Sequence, residues 1–253
     1  MARYPAPGYR YVIGPGGVSP AVKVLLIANI ALFVVTELVP AWLGIEIKQL
    51  FGLTPRDVLS GYLWQPGTYM FLHADLFHIL FNMLSLWMLG VDLERTWGTP
   101  FFVRYYAVTG IGAALTVIAS ALLPMEAAAR TYQAVTIGAS GAIFGLLLAY
   151  ALYFPNRPFY FMFLFEVPAK YFVMILGAVA LYWSIQQQGG VSHAAHLGGL
   201  IVGFLYLRGR RLSRFNPLAE LKYRYLRWKI ARMRKKFDVY SGGRSDDWDR
   251  RIH

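Results

Sequence analysis

The sequence predicts an all-α, polytopic membrane protein: a bundle of six transmembrane helices with a membrane-associated outer loop after the first. Three observations predict it. Of 253 residues, 57% are hydrophobic and only 15% charged, far from the balance of a soluble globular chain. Six apolar runs approach the roughly 20 residues that a bilayer requires. The charge is concentrated at one end: residues 208–253 carry 15 Lys/Arg against 5 Asp/Glu, whereas residues 1–207 carry 10 against 8.

Residues 1–20, rich in Pro and Gly and without periodicity, are expected to form a short cytoplasmic leader with no signal peptide. The six-helix domain then occupies 21–207. Its spans are expected at 22–40, 71–91, 101–123, 136–154, 169–185 and 192–207, the last being short and therefore packed inside the bundle. An even number of spans places both termini on one side, and the basic tail assigns that side to the cytoplasm. Arg95, Arg104 and Arg157 then lie inside as well. Segments 41–70, 124–135 and 186–191 lie outside. In the first of these, Trp42, Tyr62 and Trp64 suit the membrane interface, and Pro55 and Pro66 break any continuous helix. Residues 158–168 are too short to span and read as an interfacial loop. The chain shows no internal repeat and no low-complexity segment.

Residues 208–253 form a basic cytoplasmic tail. Trp228, Tyr223 and Tyr225 among Lys222, Arg224, Arg227 and Lys229 would suit nucleic acid, but the positive-inside rule accounts for the same charges. A basic surface near the inner leaflet gains about 1 kcal/mol per cation from anionic lipid. Leu218, Leu221, Tyr225, Leu226, Ile230, Met233 and Phe237 recur with helical periodicity on one broad face. An amphipathic helix on anionic lipid is therefore expected, and no nucleic-acid partner. The absence of cysteine rules out disulfides, thiolate metal sites and cysteine nucleophiles.

Within the apolar runs, few polar groups stand out. Ser140 lies among glycines in Gly138-Ala139-Ser140-Gly141-Ala142-Ile143-Phe144-Gly145, and serine becomes a nucleophile only when a base takes its proton. His196 opens the last apolar run. In the expected topology, Ser140 and His196 lie about one turn into their helices and His78 and Asn82 two to three turns into theirs, so all four converge in the outer half of the membrane. His78 and Asn82, four residues apart, share a helical face and can present two donors to one point, as an oxyanion hole requires. Gly199 and Gly203 share a face with His196, so glycine-mediated packing of the fourth and sixth spans would bring the imidazole to Ser140. Other readings are open at this stage. Glycine stripes and a polar Asn-His pair also serve plain helix packing, and His73, His78, His193 and His196 with Asp75 allow a metal site or proton pathway.

Taken together, these residues resemble the rhomboid family of intramembrane serine proteases. The matching pieces are Trp64-Gln65, His73-x4-His78-x3-Asn82, Glu94-x3-Gly98, Gly138-x-Ser140-Gly141-x3-Gly145 and His196-x2-Gly199-x3-Gly203, which cover about residues 20–207 in the family's order. The resemblance implies Ser140 as nucleophile and His196 as general base. It also implies an oxyanion hole of His78, Asn82 and the Ser140 peptide N–H. Phe144 would pack on the base, with Gly138, Gly141, Gly199, Gly203, Trp64 and Glu94 in support. No metal and no cofactor is implied, and no Asp completes a triad. Gln65 departs from the arginine that follows this tryptophan in some members, which puts an arginine-mediated loop contact in doubt. The chain is expected to be a minimal six-helix member.

The implied activity is endoproteolysis of transmembrane segments of other membrane proteins near the outer face. The implied location is a cell membrane, the bacterial inner membrane for want of a targeting segment. A catalytically silent relative that binds membrane clients is the principal alternative. The physiological substrate and the oligomeric state are not legible in the sequence.

Overall fold

Helix α1 (Pro20–Leu38) starts at a proline, whose fixed φ suits the first helical position and whose missing N–H would be unpaired there in any case. This structure, a computed structural model, describes residues 15–124, 126–161, 165–186, 192–213 and 217–234. Ser19, just before α1, uses its hydroxyl to donate to the Glu94 carboxylate at 2.5 Å, and the peptide N–H groups of Ala21 and Val22 donate to the same carboxylate at 2.9 and 3.1 Å. Glu94 thus caps α1 from a distance.

Glu94 belongs to α5 (Leu76–Trp97) and also accepts from the Thr99 hydroxyl at 2.6 Å, at the start of α6 (Thr99–Ala121). One buried carboxylate therefore joins three helix ends, and its charge is met by four donors. Glu94→Gln puts an amide N–H₂ against groups that are themselves donors. It is expected to cost about 2 kcal/mol, the typical penalty for breaking a charge-assisted bond in a buried site. Thermal unfolding in micelles should show a lower midpoint for this variant and no change for exposed Glu46→Gln. Equal shifts for the two would refute the clamp.

Between α1 and α5 the chain forms α2 (Ala41–Phe51), α3 (Pro55–Leu59), α4 (Gln65–Thr68) and a 3-10 turn at Tyr69–Phe71. Pro55 and Pro66 each stand at a helix start, so the expected interruption of this segment is observed. Buried Gln65 holds the segment together: its Oε1 accepts from the Thr54 N–H at 2.9 Å, and its Nε2 donates to the Leu50 carbonyl at 3.3 Å. A neutral amide serves here, since it offers both the acceptor and the donor that the loop requires. Trp64 Nε1 donates to the same Leu50 carbonyl at 3.0 Å.

After α6 come α7 (Glu126–Gln133), α8 (Ser140–Tyr153), α9 (Ala169–Gln186) and α10 (Ser192–Ser213). Among the described residues, α1, α5 and α6 are long and apolar enough to cross a membrane. Among the helices at the six expected spans, α8 is the short one, at 14 residues or about 21 Å, whereas α10 runs for 22. The sequence reading assigned the short span to the last run. The physical reason for the difference is burial: α8 is enclosed by α5, α6 and α9, so its length need not match the bilayer.

Two further expectations change. Residues 158–168 are not an irregular loop: β1 (Pro158–Phe161) pairs antiparallel with β2 (Phe165–Pro168), in the register Pro158 to Pro168. Among the described residues the fold is thus mostly helical with one antiparallel pair of strands, which satisfy backbone bonds between themselves. The second helix starts at Leu76 rather than near residue 71, since the Asp75 carboxylate caps it by accepting the His78 N–H at 2.9 Å. Residue 186 ends α9, and the rest of the outer segment, 187–191, with most of the leader, lies outside the described residues.

The chain divides into two units, Met1–Leu207 and Arg208–His253. In the second unit, α11 (Pro217–Arg234) carries six of the 15 basic residues of the tail. At 100° per residue, its apolar side chains spread over more than half of the circumference and Lys229 and Arg232 fall among them, so the face is broader and more mixed than the periodicity alone conveyed. Arg227 lies over the Tyr223 ring at 5.7 Å and Arg232 over the Trp228 ring at 5.2 Å. Phe237 lies outside the described residues.

Candidate active site

Ser140 is the first residue of α8, not one turn inside it. The residues before it are extended: Thr136 exchanges two backbone bonds of 2.8 Å with Leu53 of the outer segment. The chain then turns at Gly138, whose φ of +120° is strained for any residue with a Cβ. The Gly138 N–H donates to the Tyr69 carbonyl at 2.9 Å. An extended approach, a glycine turn and a helix start leave the Ser140 side chain half-buried at the helix head.

Helix α10 brings His196 to that position. His196 Nε2 and Ser140 Oγ are 2.8 Å apart, and the imidazole stacks on Phe144 with ring centroids 4.1 Å apart and planes 4° from parallel. The approach depends on glycine. A Cβ on Gly199 would lie 2.0 Å from the Gly141 carbonyl oxygen, and one on Gly203 would lie 3.3 Å from the Gly145 Cα. Backbone meets backbone along this line. A Cβ on Gly145 would also lie 2.6 Å from Thr109 Cβ, so α6 approaches the same glycines as closely.

His78 is the third residue of α5 and Asn82 the seventh, so both lie nearer the helix head than the sequence reading placed them. The cause is the Asp75 cap, which delays the helix. All four polar groups therefore occupy the first two turns of their helices. His78 Nε2 lies beside the turn that leads to Ser140, where a Cβ on Gly138 would be only 2.6 Å from it. Asn82 is buried and donates one amide N–H to the His78 carbonyl at 2.7 Å, which leaves its second N–H for another partner.

The structure thus gathers Ser140, His196, Phe144, His78 and the four glycines around one point, with Asn82 one turn along the His78 face. Trp64 and Glu94 are elsewhere. Trp64 fastens the outer segment, and Glu94 lies 16 residues from His78 along α5, about 24 Å away. Among the described residues the histidines form two pairs, His73 with His78 at 5.0 Å and His193 with His196 at 6.1 Å between centroids. Among the described residues, no three His, Asp or Glu side chains come together as metal ligands.

Sequence reasoning missed the tyrosines. Buried Tyr69 donates its hydroxyl to the Gly110 carbonyl at 2.7 Å, and Tyr105 donates to the Gly145 carbonyl at 2.8 Å, each joining helices at the level of the glycines. Neither has a signature in spacing, because each pairs with a backbone carbonyl about 40 residues away. Chemically, a hydroxyl in contact with an imidazole nitrogen, itself held flat against an aromatic ring, can lose its proton to that nitrogen.

Residues 60–211 match the family described as Rhomboid domain, which is more than half of the chain. The chain belongs to the rhomboid family. Among its rhomboid relatives, the mitochondrial Rhomboid protein 1 of Saccharomyces cerevisiae is 31% identical over 189 residues, 73% of this chain and 51% of that protein. Rhomboid protease AarA of Providencia stuartii is 31% identical over 168 residues, 62% of this chain and 59% of the relative. Rhomboid protease GluP of Bacillus subtilis is 30% identical over 190 residues, 74% of this chain and 34% of the relative. The rhomboid chain therefore spans less than two thirds of the length of these relatives.

Proposed function

We propose that this rhomboid chain is an intramembrane serine endopeptidase that cleaves transmembrane segments of membrane proteins near their outer face. The observation that carries the reading is the 2.8 Å contact between Ser140 Oγ and His196 Nε2 at the heads of two helices. In the mechanism, His196 takes the Ser140 proton as Oγ attacks the scissile carbonyl, then returns it to the leaving amine. Phe144 keeps the imidazole plane aligned through both transfers. The oxyanion receives His78, Asn82 and the Ser140 peptide N–H, which as a first-turn helix N–H has no intrahelical partner. Water entering from the outer side then repeats the sequence on the acyl-enzyme. A helical substrate must unwind locally first, so glycine or other helix breakers near the cut favour cleavage.

The same proposal includes six spans in residues 21–207, an outer segment lying in the outer leaflet and both termini in the cytoplasm of a bacterial inner membrane. It includes α11 lying on anionic lipid. The α11 sequence holds six cations, Lys222, Arg224, Arg227, Lys229, Arg232 and Arg234, and one acid, Glu220, while Tyr225, Trp228 and Ile230 are exposed for burial among acyl chains.

Asn82→Ala is expected to lower kcat by about 10²- to 10³-fold, the usual cost of one lost oxyanion donor, with little change in KM. Initial rates on a transmembrane reporter in proteoliposomes would measure it. The proposal as a whole is tested by a fluorophosphonate probe on the full chain in the same vesicles. A single adduct at Ser140, formed in step with loss of reporter cleavage, is the expected result. Cleavage that continues after Ser140 is fully modified would exclude Ser140 as nucleophile. A chain that binds the reporter and never cuts it would be a silent client-binding relative instead.

A further inference from the structure

Two neutral forms of an imidazole differ in which nitrogen carries the proton, and for His78 the chain itself makes that choice. His78 Nδ1 accepts a hydrogen bond from the Ala74 peptide N–H at 3.2 Å. A ring nitrogen that accepts is unprotonated, so neutral His78 holds its proton at Nε2. That nitrogen is the one beside Gly138, two residues before Ser140, and it bonds to no other described residue.

The Ala74 N–H is available for this task because of its position. It precedes the Asp75 cap and the first residue of α5, so no helix carbonyl competes for it. The Ala74–His78 turn is held at both ends: Asp75 fixes the His78 backbone by accepting its N–H at 2.9 Å, and the Lys48 ammonium, paired with Glu37, approaches the Ala74 carbonyl at 3.5 Å. The loop before α5 and the first turn of α5 therefore act on one ring.

The geometry points to the Ala74 peptide N–H as a positioning group that selects the Nε2–H form of His78 and presents that proton beside Ser140. Its consequence for rate rests on the serine-protease reading; the tautomer itself does not. The other tautomer would turn a lone pair toward the developing oxyanion, which is repulsive where a donor is required. Asn82 needs no such device, because an amide N–H₂ is a donor in every state.

The test uses the full chain in micelles with ¹⁵N-labelled histidine. The His78 resonances are assigned by their loss in His78→Gln, and a second protein carries lactic acid in place of Ala74, which replaces the peptide N–H by an ester oxygen and keeps the methyl. In the native chain His78 should be purely the Nε2–H form, and in the ester protein a mixture. The ester should lower kcat by roughly tenfold, less than outright loss of the donor, with KM unchanged. In the His78→Gln background it should change nothing further, since glutamine has no tautomers. A proton on Nδ1 in the native chain, or an ester protein with the native spectrum, would overturn the proposal. So would an equal loss of kcat in the two backgrounds, because that is the result of a merely structural role. If no reporter is cleaved by any of these proteins, the protease reading fails, and the spectra still decide the tautomer.

Discussion

Ser140→Ala should abolish reporter cleavage, with kcat reduced by about 10⁴-fold or more. No other described group can replace the lost oxygen: the position held by Oγ, 2.8 Å from His196 Nε2 and at the head of α8, would have only a methyl group. His196→Ala should fall to a similar level, because an unassisted serine hydroxyl is a weak nucleophile near neutral pH. The double variant is expected to be no slower than either single one, since the two groups act as a unit and their effects do not add. Fold is not at stake in these substitutions. Each removes one hydrogen bond and no large aliphatic group, so the unfolding free energy should fall by only about 1 kcal/mol. Native-like rates in the Ser140→Ala protein, checked against the protein-free vesicle background, would end the serine-protease reading.

Gly199→Val should be the most damaging single change in the bundle. The first added carbon would lie 2.0 Å from the Gly141 carbonyl oxygen and 3.0 Å from the carbon that bears it, and both are backbone atoms inside a helix. A side chain could rotate away; a helix backbone cannot. Helix α10 must then withdraw from α8, and the displacement acts directly on His196, three residues earlier on the same face. Overpacking of this kind costs about 3 kcal/mol or more. Any residual folded protein should be inactive, because 1 Å of separation between Ser140 and His196 breaks their hydrogen bond. Gly67→Ala is the matched control, since a Cβ there meets nothing within 4 Å. Denaturation midpoints and cleavage rates of the two variants decide the matter. A Gly199→Val protein with native stability and activity would show that α8 and α10 do not meet as described.

The two predictions draw on different kinds of legibility. Ser140, His196, His78 and Asn82 stood out in the sequence because polar groups are rare in apolar runs, so each one demanded a reason. Their helical phases followed from spacing alone. Their positions along the helices did not. Asp75 reads as an ordinary acid beside an apolar run, and only its bond to the His78 N–H reveals that α5 starts there. The same limit applies to α8. An apolar stretch from 136 to 154 looks continuous, yet Thr136 is engaged with Leu53 and the chain turns at Gly138, so the helix begins at Ser140. Pairing with a single residue 83 positions away leaves no local trace. The hairpin at 158–168 was missed for a related reason: short apolar runs do not distinguish strand from loop by periodicity.

By itself, the sequence determined the membrane character, the order of the apolar helices, the family resemblance and the identities of the polar residues worth attention. These depend on composition, run length and motif order, which are properties of the chain. The tertiary structure alone decided that α8 is the short enclosed helix, that Gln65 rather than a cation holds the outer segment, and that Ser140 and His196 touch. It also decided that Glu94 joins three helix ends far from the site. Each of these is a contact between residues distant in sequence, and its geometry is set by backbone approach and hydrogen-bond direction, which no local pattern encodes.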